Sequence, residues 1–405
     1  MDFAMRYTPD QEDFRREVRA WMDANARMPE ALGPVPMESM DTTREQYDWG
    51  RDFYKKFGAK GWLYSTMPTE YGGGGLTVDH DIIIHEELAK FKLPGAGPGA
   101  GAVAIAPLMV YGTEEQKQRF LKPMLSGQTV SWQLWTEPES GVDLASIRTR
   151  AVRDGDDFIF TGTKNYISGI FEPDWLNILV VTDPEAPRHA NLGQFYIPAN
   201  LPGISWQYQD LIVKGGQHFI FLDNVRVSRE YLIGPETGGW RVTQSSLELE
   251  HGAEGSLDGR GGDSKAVPDL LDAWKAGQSN RSLAKGEEAQ LHLVDAHIRH
   301  SVNRLMGRRN FWMFQNKKTQ TFEGSQVTWY GRETRIRTAE DNLELLGPYA
   351  TTTDKDWTVL DGRVELGQRG ASMATHGAGS YEIDKVIIAR RIGLSRTKEV
   401  AAPTQ

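Results

Sequence analysis

Apolar residues recur at helical spacing through the first third of the chain. Phe14, Val18, Trp21 and Met22 fall on one helical face, just after Thr8-Pro9-Asp10-Gln11. A threonine followed three residues later by glutamine is a capping box, in which hydroxyl and amide satisfy each other's orphan backbone donors. Pro9 takes the first helical position, where its missing N–H costs nothing. Trp49, Phe53 and Phe57 form a second stripe, and residues 78–91, with Ile82, Ile83 and Ile84 at their centre, predict a third and more buried helix. Thr113 and Gln116 repeat the capping-box spacing ahead of a helix that must yield near Pro123. From about Thr129 the pattern changes to short β-rich runs divided by turn residues. Residues 149–153 and 158–161 flank Asp154-Gly155-Asp156, a hairpin signal, and residues 177–182, 193–197 and 219–227 read as further strands. After Trp240 helical spacing returns and runs to about Leu394, interrupted by a Gly-rich charged stretch over 252–265. The predicted order is α, then a compact all-β insert, then α, with boundaries at 128/129 and 234/235. No internal repeat is visible.

Composition narrows the function classes. The 405 residues carry 46 basic and 55 acidic side chains, a net charge of −9 with no basic stripe, which argues against nucleic-acid binding. Twelve Trp and fifteen Phe supply a real core, so wholesale disorder is excluded. No apolar run approaches the roughly 20 residues that span a bilayer, and the charged N-terminus lacks a signal-peptide core, so a cytoplasmic protein without membrane insertion is expected. With no cysteine, disulfides, thiolate nucleophiles and zinc–thiolate sites are ruled out.

Several familiar motifs fail. Gly72 to Gly75 follow Tyr71, but no Lys-Ser/Thr pair completes a phosphate loop, and a turn between helices is the better reading. His85-Glu86-Glu87 lacks the second histidine of a zinc protease, and His297 and His300, near Asp295, have no third ligand, so no metal is expected. Neither a Gly-x-Ser-x-Gly elbow nor a Gly-x-Gly-x-x-Gly turn is present.

The informative segments lie where α gives way to β. Trp132-Gln133-Leu134-Trp135-Thr136-Glu137-Pro138 and Gly162-Thr163-Lys164-Asn165-Tyr166-Ile167-Ser168 bring hydroxyls (Thr136, Ser168) and large rings (Trp135, Tyr166) onto two short strands. A flat heterocycle needs such a wall with a few edge donors, although composition alone favours plain core aromatics. Together with Gly112-Thr113-Glu114-Glu115-Gln116-Lys117, Asp223-Asn224-Val225-Arg226-Val227, Gly238-Gly239-Trp240 and Gly379-Ser380-Tyr381-Glu382-Ile383, these segments stand in the order and spacing of the acyl-CoA dehydrogenase family. The chain resembles that family along nearly its whole length. The resemblance implies an N-terminal α domain (1–128), a middle β-barrel-like domain (129–234) and a C-terminal four-helix bundle (235–405). It also implies FAD as cofactor, an acyl-CoA substrate and electron-transfer flavoprotein as electron acceptor. Gln133, Trp135, Thr136, Tyr166 and Ser168 match positions around the flavin ring, and Ser380 and Glu382 match further cofactor contacts.

Removing the weakly acidic α proton of an acyl thioester requires a carboxylate held against it and donors on the carbonyl. Many members carry that Glu just before the C-terminal Gly-Thr, where this chain has Ala378. The family's second solution, that of the isovaleryl-CoA branch, takes the Glu from the first helix of the C-terminal domain, and Glu250 falls on that position, followed by His251 in place of the usual Arg. Glu248 and Glu250 as ordinary exposed helix carboxylates are the bland alternative. The backbone N–H of Ala378 still suits an oxyanion donor, and Val142, where a Ser usually precedes Asp143, removes a hydroxyl from the substrate side. The family's Arg-x-x-Phe-Gly contact to a neighbouring subunit's FAD is not recognisable, Asn280-Arg281-Ser282-Leu283 being a poor stand-in. Phe322-Glu323-Gly324-Ser325 and Leu345-Leu346-Gly347-Pro348 resemble a divergent bacterial branch that includes heteromers acting on bulky acyl-CoAs. The expectation is a homotetramer, or a heterotetramer with a sister chain, that dehydrogenates a bulky or branched acyl-CoA. A non-catalytic partner subunit and an acyl-CoA oxidase are the alternatives.

Overall fold

A computed structural model describes residues 7–251, 266–275, 286–373, 375–377 and 379–394. The chain divides into two compact units, one from Tyr7 to Glu250 and one beginning at His251.

The first unit opens with helices α1 (Pro9–Asn25), α2 (Arg44–Ala59) and α3 (Val78–Leu88). The capping box at Thr8 and Gln11 forms in both directions, and a second box, at Thr43 and Gln46, starts α2. Val18, Met22, Phe53, Phe57, Trp62 and Ile84 make one core from the apolar stripes of all three helices. The predicted third helix ends at Leu88 instead of 91, because Lys90 and Phe91 bond back three residues, to Glu87 and Leu88, and tighten the chain into turns. Helix α4 (Ile105–Tyr111) is followed by α5 (Glu114–Gln116), capped by the Thr113 and Gln116 box, and by α6 (Lys122–Leu125). Pro123 does not end this run. A π-helical turn over Lys117–Leu121 precedes it and leaves the proline in the first turn of α6, where no N–H is required.

The β insert is one sheet of eight strands: β1 (Ser131–Leu134), β2 (Arg150–Asp154), β3 (Asp157–Ser168), β4 (Trp175–Val181), β5 (Leu192–Pro198), β6 (Ile204–Tyr208), β7 (Gln217–Ser228) and β8 (Leu232–Ile233). Its order is β6-β7-β3-β2-β4-β5-β8, with β1 parallel to β4. The predicted hairpin pairs Asp154 with Asp157 around Gly155, whose φ of +65° suits glycine. Strands β6 and β8 were not expected: β6 is mostly exposed and β8 has two residues, so neither carries a clear alternation. Inward residues from seven strands, among them Leu134, Phe158, Phe160, Ile178, Phe195, Ile220 and Val225, share one core, the barrel-like wrap expected of this insert.

Helix α7 (Gly239–His251) follows, and its N-terminal half packs with the elements before it. In the second unit stand α8 (Ala266–Lys275), α9 (Gly286–Gln315), α10 (Glu323–Leu346), α11 (Arg363–Met373) and α12 (Tyr381–Arg391). Leu270, Leu293, Leu345, Leu346, Val359 and Val364 form their shared core. The 252–265 stretch lies outside the described residues. No described helix is long and apolar enough to cross a membrane.

Candidate active site

Strand β3 builds one wall of the site through an irregularity. Up to Lys164, the buried Phe158, Phe160 and Lys164 share the inner face. Between Lys164 and Ile167 the register with β7 shifts by one residue, so Lys164 faces Ile220 while Ile167 faces His218. One extra residue reverses the parity of everything after it. Ile167 is therefore buried, and Tyr166 and Ser168 point outward. Tyr166 sits in the bulge at φ +55°, a left-handed conformation that costs a bulky residue roughly 1–2 kcal/mol, with its side chain 56% exposed. Its N–H donates to Gln209 Oε1 (3.2 Å) and to Asn165 Oδ1 (2.7 Å).

The segment leaving β1 is fastened to this bulge. Asn165 N donates to the Thr136 carbonyl (2.9 Å). Lys164, fully buried, donates to the carbonyls of Trp135 (3.2 Å) and Leu179 (2.7 Å) and to Glu137 Oε1 (2.8 Å). Glu137 in turn accepts from the backbone N–H groups of Arg148 (2.6 Å) and Thr149 (2.9 Å). Burial pushes Lys164 down to about 8, against the pull of the Glu137 carboxylate. Burial pushes Glu137 up, but the Lys164 charge and the hydrogen bonds from Lys164, Thr149 and Arg148 outweigh it and hold the carboxyl below its usual range. Beneath the bulge Trp132 stacks on His218 (centroids 4.9 Å apart), and Gly169 is required there, since a Cβ would come within 1.9 Å of the indole.

Thr136 and Trp135 are thus tied to the Tyr166 bulge through its neighbours, the Asn165 N–H and the Lys164 ammonium, Ser168 lies two residues further along β3, and Gln133 is half-buried on β1 beside Asn177 of β4. Buried Trp135 carries an indole N–H with no partner, and the outward Tyr166 ring on a strained backbone is a surface that a flat ligand would cover. These residues fit a flavin. Val142 stands 63% exposed in the loop after the Glu137–Ser140 bridge, beside Asp143, which is paired with Arg188. Ser380 and Glu382 lie together at the start of α12 in the second unit, Ser380 buried as the N-cap residue and Glu382 exposed. Ala378 lies outside the described residues.

Helix α7 is held by buried polar side chains. Thr243 Oγ1 donates to Gln194 Oε1 (3.0 Å), and Gln194 Nε2 donates to Asn177 Oδ1 (2.8 Å). Ser246 Oγ donates to the Val103 carbonyl (2.9 Å). At about 100° per residue, position 250 shares the helical face of 243 and 246, and position 248 falls on the opposite side.

Three family models account for the chain: the N-terminal domain of acyl-CoA dehydrogenase over residues 8–128, the middle domain over 133–225 and the C-terminal domain over 237–393. The chain belongs to the acyl-CoA dehydrogenase family. It is 30% identical to acyl-CoA dehydrogenase FadE26 of Mycobacterium tuberculosis across 96% of this chain and 98% of that protein. Among solved structures it is similar to the Tcur3481-Tcur3483 steroid ACAD (28% identity, TM-score 0.81, 98% of this chain and 100% of that one). It is also similar to the ChsE4-ChsE5 complex from Mycobacterium tuberculosis (26% identity, TM-score 0.75, 97% and 100% covered). The family consists of flavoprotein oxidoreductases, so the fold and the enzyme class expected from sequence are borne out.

Glu137, Lys164, Asn165, Thr243 and Ser246 were given no role by sequence reasoning. For Lys164 a signal existed: it shares parity with Phe158 and Phe160, and a lysine on an inward face requires a buried anion.

Proposed function

We propose that the chain dehydrogenates a bulky or branched acyl-CoA to the trans-2-enoyl-CoA, with FAD as cofactor and Glu250 as the base that takes the α proton. The observation that carries this reading is the register of α7. By helical register position 250 falls on the same side of α7 as Thr243 and Ser246, and position 248 on the opposite side, which supports Glu250 over Glu248.

Bound FAD supplies the hydride acceptor for the β carbon. Tyr166 and Trp135 provide the wall for its ring, and Gln133, Thr136 and Ser168 provide edge donors and acceptors. Ser380 and Glu382 are assigned further cofactor contacts. Glu250 holds the abstracted proton on its carboxylate, and the backbone N–H of Ala378 donates to the thioester oxygen, where negative charge develops. Val142 and Ala378 line the acyl side, and both are small or apolar where relatives carry polar or larger groups, which favours a bulky acyl chain. Similarity to a steroid ACAD and to a two-chain complex supports a large substrate and a tetramer, homomeric or built with a sister chain. Electron-transfer flavoprotein is the proposed acceptor, and the cytoplasm the proposed location.

Glu250→Gln is expected to keep FAD and lose flavin reduction by acyl-CoA about 10²–10⁴-fold, while Glu248→Gln stays within a few-fold of wild type. Stopped-flow flavin bleaching measures both. Equal loss in the two variants would remove Glu250 from the role.

A further inference from the structure

A row of side-chain amides runs across β5, β4 and β1, from α7 to the strand that carries Gln133. Trp132 and Leu134 of β1 and Leu176 and Ile178 of β4 turn into the sheet's core, so Gln133 and Asn177 between them point to the opposite face. The two strands are parallel, and Gln133 stands directly across from Asn177 in register, on strands about 4.8 Å apart. Beyond Asn177 come Gln194 of β5 and Thr243 of α7. Asn177, Gln194 and Thr243 are wholly buried. Burying such groups is costly unless each polar atom is paired, and one is not: Asn177 Nδ2 has no hydrogen-bond partner among the described residues.

The row has a direction. Thr243 Oγ1 donates to Gln194 Oε1 (3.0 Å) and Gln194 Nε2 to Asn177 Oδ1 (2.8 Å), so every donor points away from α7. A carboxamide that accepts on its oxygen carries its N–H groups on the other side, which leaves Asn177 Nδ2 as a directed donor at the β1 end. Tyr196, the neighbour of Asn177 on β5, does not take it: that ring stacks on Trp175 (5.3 Å between centroids) in the core around Phe120. We propose that Asn177 is a positioning residue for the flavin, donating to Gln133 Oε1 when the ring covers Gln133 and so presenting Gln133 Nε2 to the ring as a donor. This rests on the reading of Gln133 as a flavin-edge contact. A glutamine free to rotate offers either its oxygen or its nitrogen. With the oxygen engaged only the donor remains, which suits the ring's carbonyl oxygens and not its N–H.

The test is a double-mutant cycle on the full-length chain, read as the dissociation constant for FAD from flavin fluorescence. Asn177→Leu, close in volume and without a donor, is expected to weaken FAD binding about 3- to 10-fold, the worth of one directed hydrogen bond. In a Gln133→Leu background the same change should weaken it less than about twofold, because the side chain it orients is gone. Gln194 Nε2 loses its acceptor in both backgrounds, so that structural cost cancels in the cycle. Asn177→Ala gives the same comparison should the leucine form fold poorly, and thermal midpoints of the flavin-free proteins set matched folded fractions. Equal losses in the two backgrounds, or no loss in the first, overturn the positioning role while leaving the functional reading intact. A wild-type chain that binds no FAD overturns both.

Discussion

Lys164→Met tests whether the buried ion pair organises the cofactor wall. The methionine fills a similar volume, so the change removes the charge with little cavity. Three acceptors lose their donor: Glu137 Oε1 at 2.8 Å and the carbonyls of Leu179 and Trp135 at 2.7 and 3.2 Å. Glu137 keeps the N–H groups of Arg148 and Thr149 but remains a buried anion without a cation. Breaking one side of such a pair costs about 3–5 kcal/mol. Adding Glu137→Gln removes the stranded charge, so the double variant should recover about 1–3 kcal/mol relative to the sum of the two single changes. Urea unfolding at pH 7, below the value of about 8 to which burial brings Lys164, keeps the lysine charged in the wild-type reference. Flavin content after gel filtration provides the functional readout, since the Trp135–Glu137 segment is held against the Tyr166 bulge through this lysine. A Lys164→Met cost below about 1 kcal/mol, or strict additivity of the two changes, would refute the account.

Two further outcomes are expected. Tyr166→Gly should raise the stability of the flavin-free protein by up to about 1 kcal/mol, by relieving the φ of +55°, and weaken flavin binding; urea midpoints and flavin affinity must therefore move in opposite senses. Asp384 is raised to about 6, by burial first, with Arg332 and Ser325 opposing. Its native pKa thus exceeds the unfolded value of about 3.9, the native state holds the proton more tightly, and wild type should gain on the order of 1 kcal/mol over Asp384→Asn between pH 7 and pH 5. Thermal midpoints of the two proteins at both pH values measure this, and a difference that is flat or of opposite sign counts against it.

What could be read from the sequence was local. The capping boxes at Thr8 and Thr113 state their own hydrogen bonds, and both form. The Gly155 hairpin was legible for the same reason, since the turn chemistry and both flanking strands lie within a few residues. What stayed hidden depended on partners distant in the chain. Residues 158–161 and the segment from Gly162 to Ser168 read as separate short strands, yet they are one strand, β3, continuous to Ser168 through its pairing with β7. The bulge that turns Tyr166 outward exists only as a mismatch in count between β3 and β7, and no single segment records it. Family resemblance had named Tyr166 and Ser168, but it gave no physical reason for their shared face.

The same distinction governs the choice between Glu248 and Glu250. Both lie in one polar stretch, Glu-Leu-Glu, and periodicity alone places them on opposite faces without saying which face is inward. Thr243 and Ser246 mark the inward face of the described part of α7, and as small hydroxyl residues they carry no hydrophobic signal that would mark them as buried. Their burial is possible because Gln194, itself wholly buried in β5, accepts from Thr243, and because the Val103 carbonyl accepts from Ser246. A polar face that would read as solvated is thereby the inward face of α7. An apolar anchor would have left the helix freer to turn about its axis, since dispersion contacts are non-directional. Directed hydrogen bonds at two positions a turn apart fix the rotation of α7, which is the ground on which Glu250 is proposed over Glu248.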